Sequence, residues 1–135
     1  MGDPSPPLFT FRSIGRVETV DGDGLPEDSV SKESLVVLWP GLAGGLDGFS
    51  PGDRMAVIFV FDRASGHELY QHPRGDPSRP RRGVFCLRSP HRPNPIGITT
   101  VRIQEISENV VKVSGLDAWP GTPILDLKPE EEASR

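Results

Sequence analysis

Cysteine is nearly missing from this 135-residue chain. Cys86 is the only one, so no internal disulfide framework braces the fold. A lone thiol fits a reducing compartment, and a cytoplasmic protein is expected. Long hydrophobic runs are missing too, and none reaches the roughly 20 apolar residues of a membrane-spanning helix. The opening Met1-Gly2-Asp3-Pro4-Ser5-Pro6-Pro7 lacks the basic-then-apolar order of a signal peptide, and Pro6 breaks the match to a myristoylation start. No stretch carries the periodicity of a long amphipathic helix, and no internal repeat recurs. Chemical motifs are scarce as well. There is no G-x-G-x-x-G nucleotide fingerprint and no G-x-S-x-G nucleophile elbow. The segment GHELYQHP (Gly66 to Pro73) lacks the H-E-x-x-H order of a zinc protease. His67, His72 and His91 do not form structural-zinc spacing with Cys86, so no metal is expected.

Glycine and proline are abundant, at 15 each. That is just short of the share typical of low-complexity disorder, but the apolar runs between them indicate a folded, turn-rich domain. The net charge of −4 conceals an asymmetry. Arg74, Arg79, Arg81, Arg82, Arg88 and Arg92 crowd one stretch, opposed only by Asp76. The acids gather in a loop holding Asp21, Asp23, Glu27 and Asp28, and in a tail holding Glu130, Glu131 and Glu132. A basic zone on an acidic protein points to a local anionic partner, not to general coating of nucleic acid. Arginines alone would better suit a solvated loop.

The apolar runs are short and of β type. Phe9-Thr10-Phe11-Arg12 leads into Ile14-Gly15-Arg16-Val17; Ser34 to Trp39 is β-branched and apolar; Gly41 to Gly52 places Leu42, Leu46 and Phe49 at a spacing that suits a short helical turn. Met55 to Phe61 is apolar on both faces and predicts a central strand. Gly83 to Leu87 reads as another strand, with Cys86 as a small buried hydrophobe. Thr99 to Ile106 alternates, Ser107-Glu108-Asn109 predicts a hairpin turn into Val110 to Val113, and Pro123 to Leu127 closes the series. Short strands with glycine and proline punctuation predict a mainly β fold, a small single-domain β-barrel of mostly antiparallel strands. The expected organisation is a disordered lead over 1–7, the barrel over 8–129 and an acidic tail over 130–135.

One segment is chemically odd: RSPHRPNPIG, Arg88 to Gly97. Pro90, Pro93 and Pro95 each fix φ and remove a backbone donor, and each pushes its predecessor toward extended backbone. The loop is therefore stiff, which lowers the ordering cost of holding a ligand. Arg88 and Arg92 offer guanidinium forks for carboxylate or phosphate, and Asn94 offers a donor and an acceptor. A rigid turn with solvated arginines, or a proline-rich ligand for an SH3-type partner, are the plainer readings.

The stretch GVFCLRSPHRPNPIGITTVRI (Gly83 to Ile103) resembles the signature of the TsaA-like family, also called the TrmO family. Other matches run in order: Ile14-Gly15, GLDGFSPGDRMAVIFVFDR (Gly45 to Arg63) and GLDAWPGTPILDLKP (Gly115 to Pro129). The resemblance implies a small, usually dimeric β-barrel that binds S-adenosylmethionine outside the Rossmann architecture. It also implies N6-methylation of a threonylcarbamoyl-modified adenosine beside the tRNA anticodon. By position, Arg88 and Ile98 are similar to cofactor-bordering residues, and Asp117, Ala118, Trp119 and Pro120 occupy the family's cofactor turn. Asp62-Arg63 aligns with a cofactor-side pair that in the tRNA enzymes is often His-Gln. Asp126 and Lys128 match the DIKP element; they are catalytic candidates with His91, or else a buried ion pair holding the last strand. Arg81, Arg82, Arg92 and Asn94 are the candidates for contacting the substrate RNA, with Arg92 facing the acceptor or a neighbouring subunit.

The chain departs from the pattern at Glu18-Thr19-Val20 in place of an SPF-type element, at Asp62-Arg63, at Pro120 in place of a second acid, and at Glu130 in place of the tyrosine closing KPY. It also ends at Arg135, where longer members continue into a segment that helps hold tRNA. Two other functions stay open: a relative that binds S-adenosylmethionine with another acceptor or no transfer, and an interaction protein displaying RPNP.

Overall fold

The computed structural model describes residues 5–20 and 33–131. The expected acidic loop at Asp21 to Asp28, the first four residues and the end of the tail lie outside the described residues. Six strands close into one barrel: β1 (Gly15–Thr19), β2 (Glu33–Leu38), β3 (Arg54–Val60), β6 (Ile96–Ser107), β7 (Val110–Ser114) and β8 (Pro123–Pro129). Around the wall they run β1-β2-β7-β6-β3-β8, and every neighbouring pair is antiparallel. Closure leaves the barrel without free edges, the arrangement that best protects strands of this kind from pairing with other chains. A separate two-stranded arm joins β4 (Tyr70–Gln71) to β5 (Arg82–Gly83).

Alternation builds the core. In β2 and β7 every second side chain is buried, as a half-buried strand requires. Val36, Leu38, Val111 and Val113 meet Val17, Met55, Val57, Phe59, Val101, Ile103 and Ile124 in one cluster. β3 is central as expected, paired to β6 on one side and β8 on the other. β6 is long because two partners share it: Ile96 to Arg102 pair with β3, and Arg102 to Ser107 pair with β7. Glu108 takes a φ of 55° in the two-residue turn between Ser107 and Val110, the left-handed geometry a tight hairpin demands.

Three local expectations are corrected. Phe9 to Arg12 is not a strand, and Phe9 and Phe11 are exposed; the pairing with β8 begins only at Ile14, whose N–H donates to the Ile124 carbonyl at 2.7 Å. Gly83 to Leu87 is not one strand either. β5 stops at Gly83 and a 3-10 turn follows over Val84–Cys86, which leaves Cys86 exposed instead of buried. Only Val84 of that stretch is buried, so the apolar pattern reported a turn anchored by one side chain. The helical turn expected after Gly41 is present as a 3-10 segment, Pro40–Leu46, with Leu46 buried.

Gly97 positions the site through packing. It is buried opposite Phe59, and a Cβ there would lie 2.6 Å and 2.7 Å from the Phe59 ring and 2.8 Å from that of Phe61. Those two rings pack edge to face at 5.1 Å. Phe61 is half-buried but Phe59 is buried in the core, so a ring must shift and Gly97→Ala should cost about 1–3 kcal/mol, the range for overpacking. A fall in the urea midpoint at constant slope would register it; an unchanged midpoint would mean that the rings yield freely.

Candidate functional site

The proline loop emerges from the 3-10 turn after β5 and returns to the barrel as β6. Arginine chemistry ties its two ends together. Arg88 Nη1 donates to the carbonyl of Ile98 at 3.2 Å, joining two of the sequence-predicted residues across the loop. That uses one of the five guanidinium donors, and the exposed head keeps the rest. Arg92 behaves differently. Its Nη1 donates to the carbonyls of Leu87 at 2.6 Å, Val84 at 3.2 Å and Ser89 at 3.4 Å, and the side chain is half-buried. Of the candidate substrate contacts, Arg92 thus has its Nη1 turned into the loop that carries it. A segment with three prolines has few N–H groups for its own carbonyls, and a half-buried guanidinium takes their place.

A second pair of predicted segments also meets. Arg63 lies over the Trp119 ring at 5.3 Å, and its Nη2 donates to the Pro120 carbonyl at 3.4 Å. Trp119 remains 56% exposed, so the contact is a partly solvated cation–π pair. The turn itself is set by Gly121, whose φ is 88°, and by the Gly121 N–H bonding to the Val17 carbonyl at 2.7 Å. Asp117, at the start of the same turn, lines one broad open concavity with Arg88, Ser89, Pro90 and His91. That concavity has a volume of about 1150 Å³ and extends to Tyr70, His72, Arg74, Arg79, Arg81 and Arg82. Asn94 is exposed and does not line it.

Gln71 was not singled out from the sequence, yet it joins the arm to the loop. Its Nε2 donates to the carbonyls of His91 and Glu68, both at 2.7 Å. No sequence signal marks it, because the two partners are brought together only by the fold. His91 is held from the other side, with Nδ1 3.4 Å from the Ser65 carbonyl. At the arm's tip the Asp76 carboxyl is drawn below its usual range by hydrogen bonds from the hydroxyl and the N–H of Ser78.

Asp126 and Lys128 stand apart from the concavity. They do pair, at 3.5 Å, but both side chains are more than half exposed, so the buried ion pair is corrected to a surface one of small energetic weight. Among the described residues no cluster of His, Cys, Asp and Glu is set to hold a metal, and no helix is long and apolar enough to cross a membrane.

Residues 20–133 match the family model of the tRNA-methyltransferase O N-terminal domain. The chain belongs to this family. A relative named "Probable S-adenosyl-L-methionine-binding protein" in Methanocaldococcus jannaschii is 46% identical over 88 residues, which are 62% of this chain and 70% of that protein. The tRNA (adenine(37)-N6)-methyltransferase of Rattus norvegicus is 42% identical over 89 residues, 63% of this chain but 19% of that protein. The crystal structure of TrmO from Pseudomonas aeruginosa superimposes with a TM-score of 0.69 at 24% identity, over 92% of this chain and 56% of that one. At that identity the likeness establishes the TrmO-type barrel alone. The chain spans little more than half of that structure.

Proposed function

We propose that this protein binds S-adenosylmethionine and transfers its methyl group to the N6 position of an adenine in tRNA, the threonylcarbamoyl-modified adenine beside the anticodon. The observation that carries the reading is the convergence of the family's matching segments: Arg88 with Ile98, Arg63 with Trp119 and Pro120, and Asp117 on the concavity that Arg88 lines. The donor set suits a zwitterionic nucleoside. Arg88 has free donors for a carboxylate, Asp117 accepts from an ammonium or ribose hydroxyls, and Ile98, bonded through its carbonyl to Arg88, and Trp119, two residues after Asp117, offer exposed apolar surface for a base although neither lines the concavity itself. Bound there, the cofactor supplies a methyl group already activated by its sulfonium.

The chain itself contributes alignment, which supplies much of the rate in such transfers. Stiff walls hold that alignment, because Arg92 and Gln71 brace the proline loop from below and from the side. An adenine N6 nitrogen is a weak nucleophile, so a nearby acceptor for its proton helps. His91 lines the concavity and is the better placed of the candidates; Asp126 and Lys128 do not line it. A homodimer acting in the cytoplasm completes the reading. The exposed apolar side chains Leu8, Phe9 and Phe11 supply surface that a second copy would cover. A second reading is favoured by Arg63 lying on Trp119 where the tRNA enzymes often have Gln: the protein then binds the cofactor for a different acceptor or for none.

Calorimetric titration with S-adenosylmethionine tests the first step. The parent protein should bind saturably, and Arg88→Ala should weaken binding by about tenfold or more, the usual effect of losing a charged hydrogen bond. No binding to the parent would overturn the methyltransferase reading. Binding without methyl transfer to unmethylated tRNA would select the second one.

A further inference from the structure

The arm formed by β4 and β5 carries more positive charge than the cofactor chemistry uses. Arg74, Arg79, Arg81 and Arg82 all line the concavity beyond Arg88. None of them takes part in an ion pair among the described residues, where the pairs join Arg16 to Glu18, Arg54 to Glu130, Lys112 to Glu33 and Lys128 to Asp126. Four unneutralised guanidinium groups, gathered at one place on a chain of net charge −4, form an electrostatic footprint for an anion larger than a single carboxylate.

Aromatic surface accompanies the charge. Tyr70 on β4 is 63% exposed and lines the same concavity. Phe85, two residues after β5, is 77% exposed. Neither ring is needed by the barrel core. The arm is nevertheless rigid in its own terms. Arg81 Nη2 donates to the Tyr70 carbonyl at 3.1 Å, His72 Nδ1 lies 2.7 Å from the Arg79 carbonyl, and Gln71 fixes the arm to His91. An exposed Tyr70 ring among arginines outside any ion pair, with Phe85 exposed just after the arm, supplies the ingredients of a single-strand platform, where bases stack and phosphates meet cations.

We infer that the β4–β5 arm is a clamp for unpaired RNA, with Tyr70 and Phe85 stacking on bases and Arg74, Arg79, Arg81 and Arg82 holding the adjoining phosphates. This rests on the RNA methyltransferase reading and adds the surface and the residues that would hold the RNA. The chemistry agrees with it. The N6 nitrogen lies on the pairing edge of adenine, so a paired adenine cannot present it, and an unpaired loop can. The arm would deliver such a loop to the wall built by Arg88 and His91, to which Gln71 already anchors it.

The test is fluorescence anisotropy on the full chain with three probes: an RNA hairpin with an adenine in its loop, the same stem as a blunt duplex, and polyglutamate. The hairpin should bind at least about tenfold tighter than the duplex, the worth of one or two stacked bases. Tyr70→Ala and Phe85→Ala should each weaken hairpin binding roughly tenfold and leave the duplex unaffected. Tyr70→Phe, which keeps the ring, should restore it. Arg79→Gln should weaken both RNAs alike and lower the salt slope by about one. Equal binding of hairpin and duplex, indifference to both aromatic variants, or preference for polyglutamate would each overturn the inference, the last in favour of an acidic protein partner. Titration with S-adenosylmethionine on the same samples separates the two ideas. Lost RNA discrimination with intact cofactor binding removes only the clamp, whereas intact discrimination without cofactor binding removes only the methyltransferase.

Discussion

Gly15→Ala should destabilise the protein by about 3 kcal/mol or more, near the upper end for a single substitution. A Cβ at Gly15 would run into the Val37 carbonyl oxygen and lie 2.8 Å from the Leu38 Cα. These are backbone atoms, so no rotamer change relieves the collision. β1 would have to withdraw from β2, and Gly15 is also where β1 pairs with Ile124 of β8. The substitution therefore strikes the barrel at its point of closure. Against a total stability of roughly 5–15 kcal/mol, the loss would bring a visible unfolded population or a large fall in the denaturation midpoint. Gly45→Ala is the internal control, since a Cβ there meets nothing within 4 Å. A Gly15→Ala protein as stable as that control would show that β1 can shift without opening the wall.

Arg92→Ala should abolish most cofactor affinity, by roughly tenfold to a hundredfold, although Arg92 does not line the concavity. Its Nη1 is the donor for the Val84, Leu87 and Ser89 carbonyls. Without it the loop populates other conformations, and the apparent affinity falls with the competent fraction. A direct contact would lower affinity too, so a second readout is needed. Amide hydrogen exchange over residues 84–91 of the free protein should accelerate if Arg92 acts through the loop, and should not change if it touches only the ligand. Arg92→Lys should recover part of the affinity, because one ammonium carries three donors and the three bonds leave from a single nitrogen. Unchanged exchange in Arg92→Ala would return Arg92 to the substrate side.

Much of the fold was legible because its causes are local. The β-branched apolar run in Ser34 to Trp39, the alternation in Thr99 to Ile106, the two-sided apolar run in Met55 to Phe61 and the Ser107-Glu108-Asn109 turn into Val110 to Val113 depend on neighbours in sequence, and each reappears in the barrel. The failures share a cause as well. Phe9 and Phe11 have strand-forming side chains but no partner strand, and Phe85 to Leu87 belong to a turn that buries only Val84. Propensity reports how a segment fits a sheet, not whether a sheet is there to receive it.

The site divides along the same line. The amino-acid sequence by itself determined the β-barrel class, the stiffness of the proline loop and the family likeness, because patterning, fixed φ angles and a rare string of residues are properties of the chain in order. Only the tertiary structure decided which charges remain for a ligand. Arg88 and Arg92 stand four positions apart with the same guanidinium; one keeps an exposed head beside Ile98, and the other is consumed by backbone carbonyls. Arg63 reaches Pro120 across 57 residues and Gln71 reaches His91 across 20. Such pairings follow from how the wall closes, and a guanidinium's role depends on which acceptors the closed wall leaves without donors.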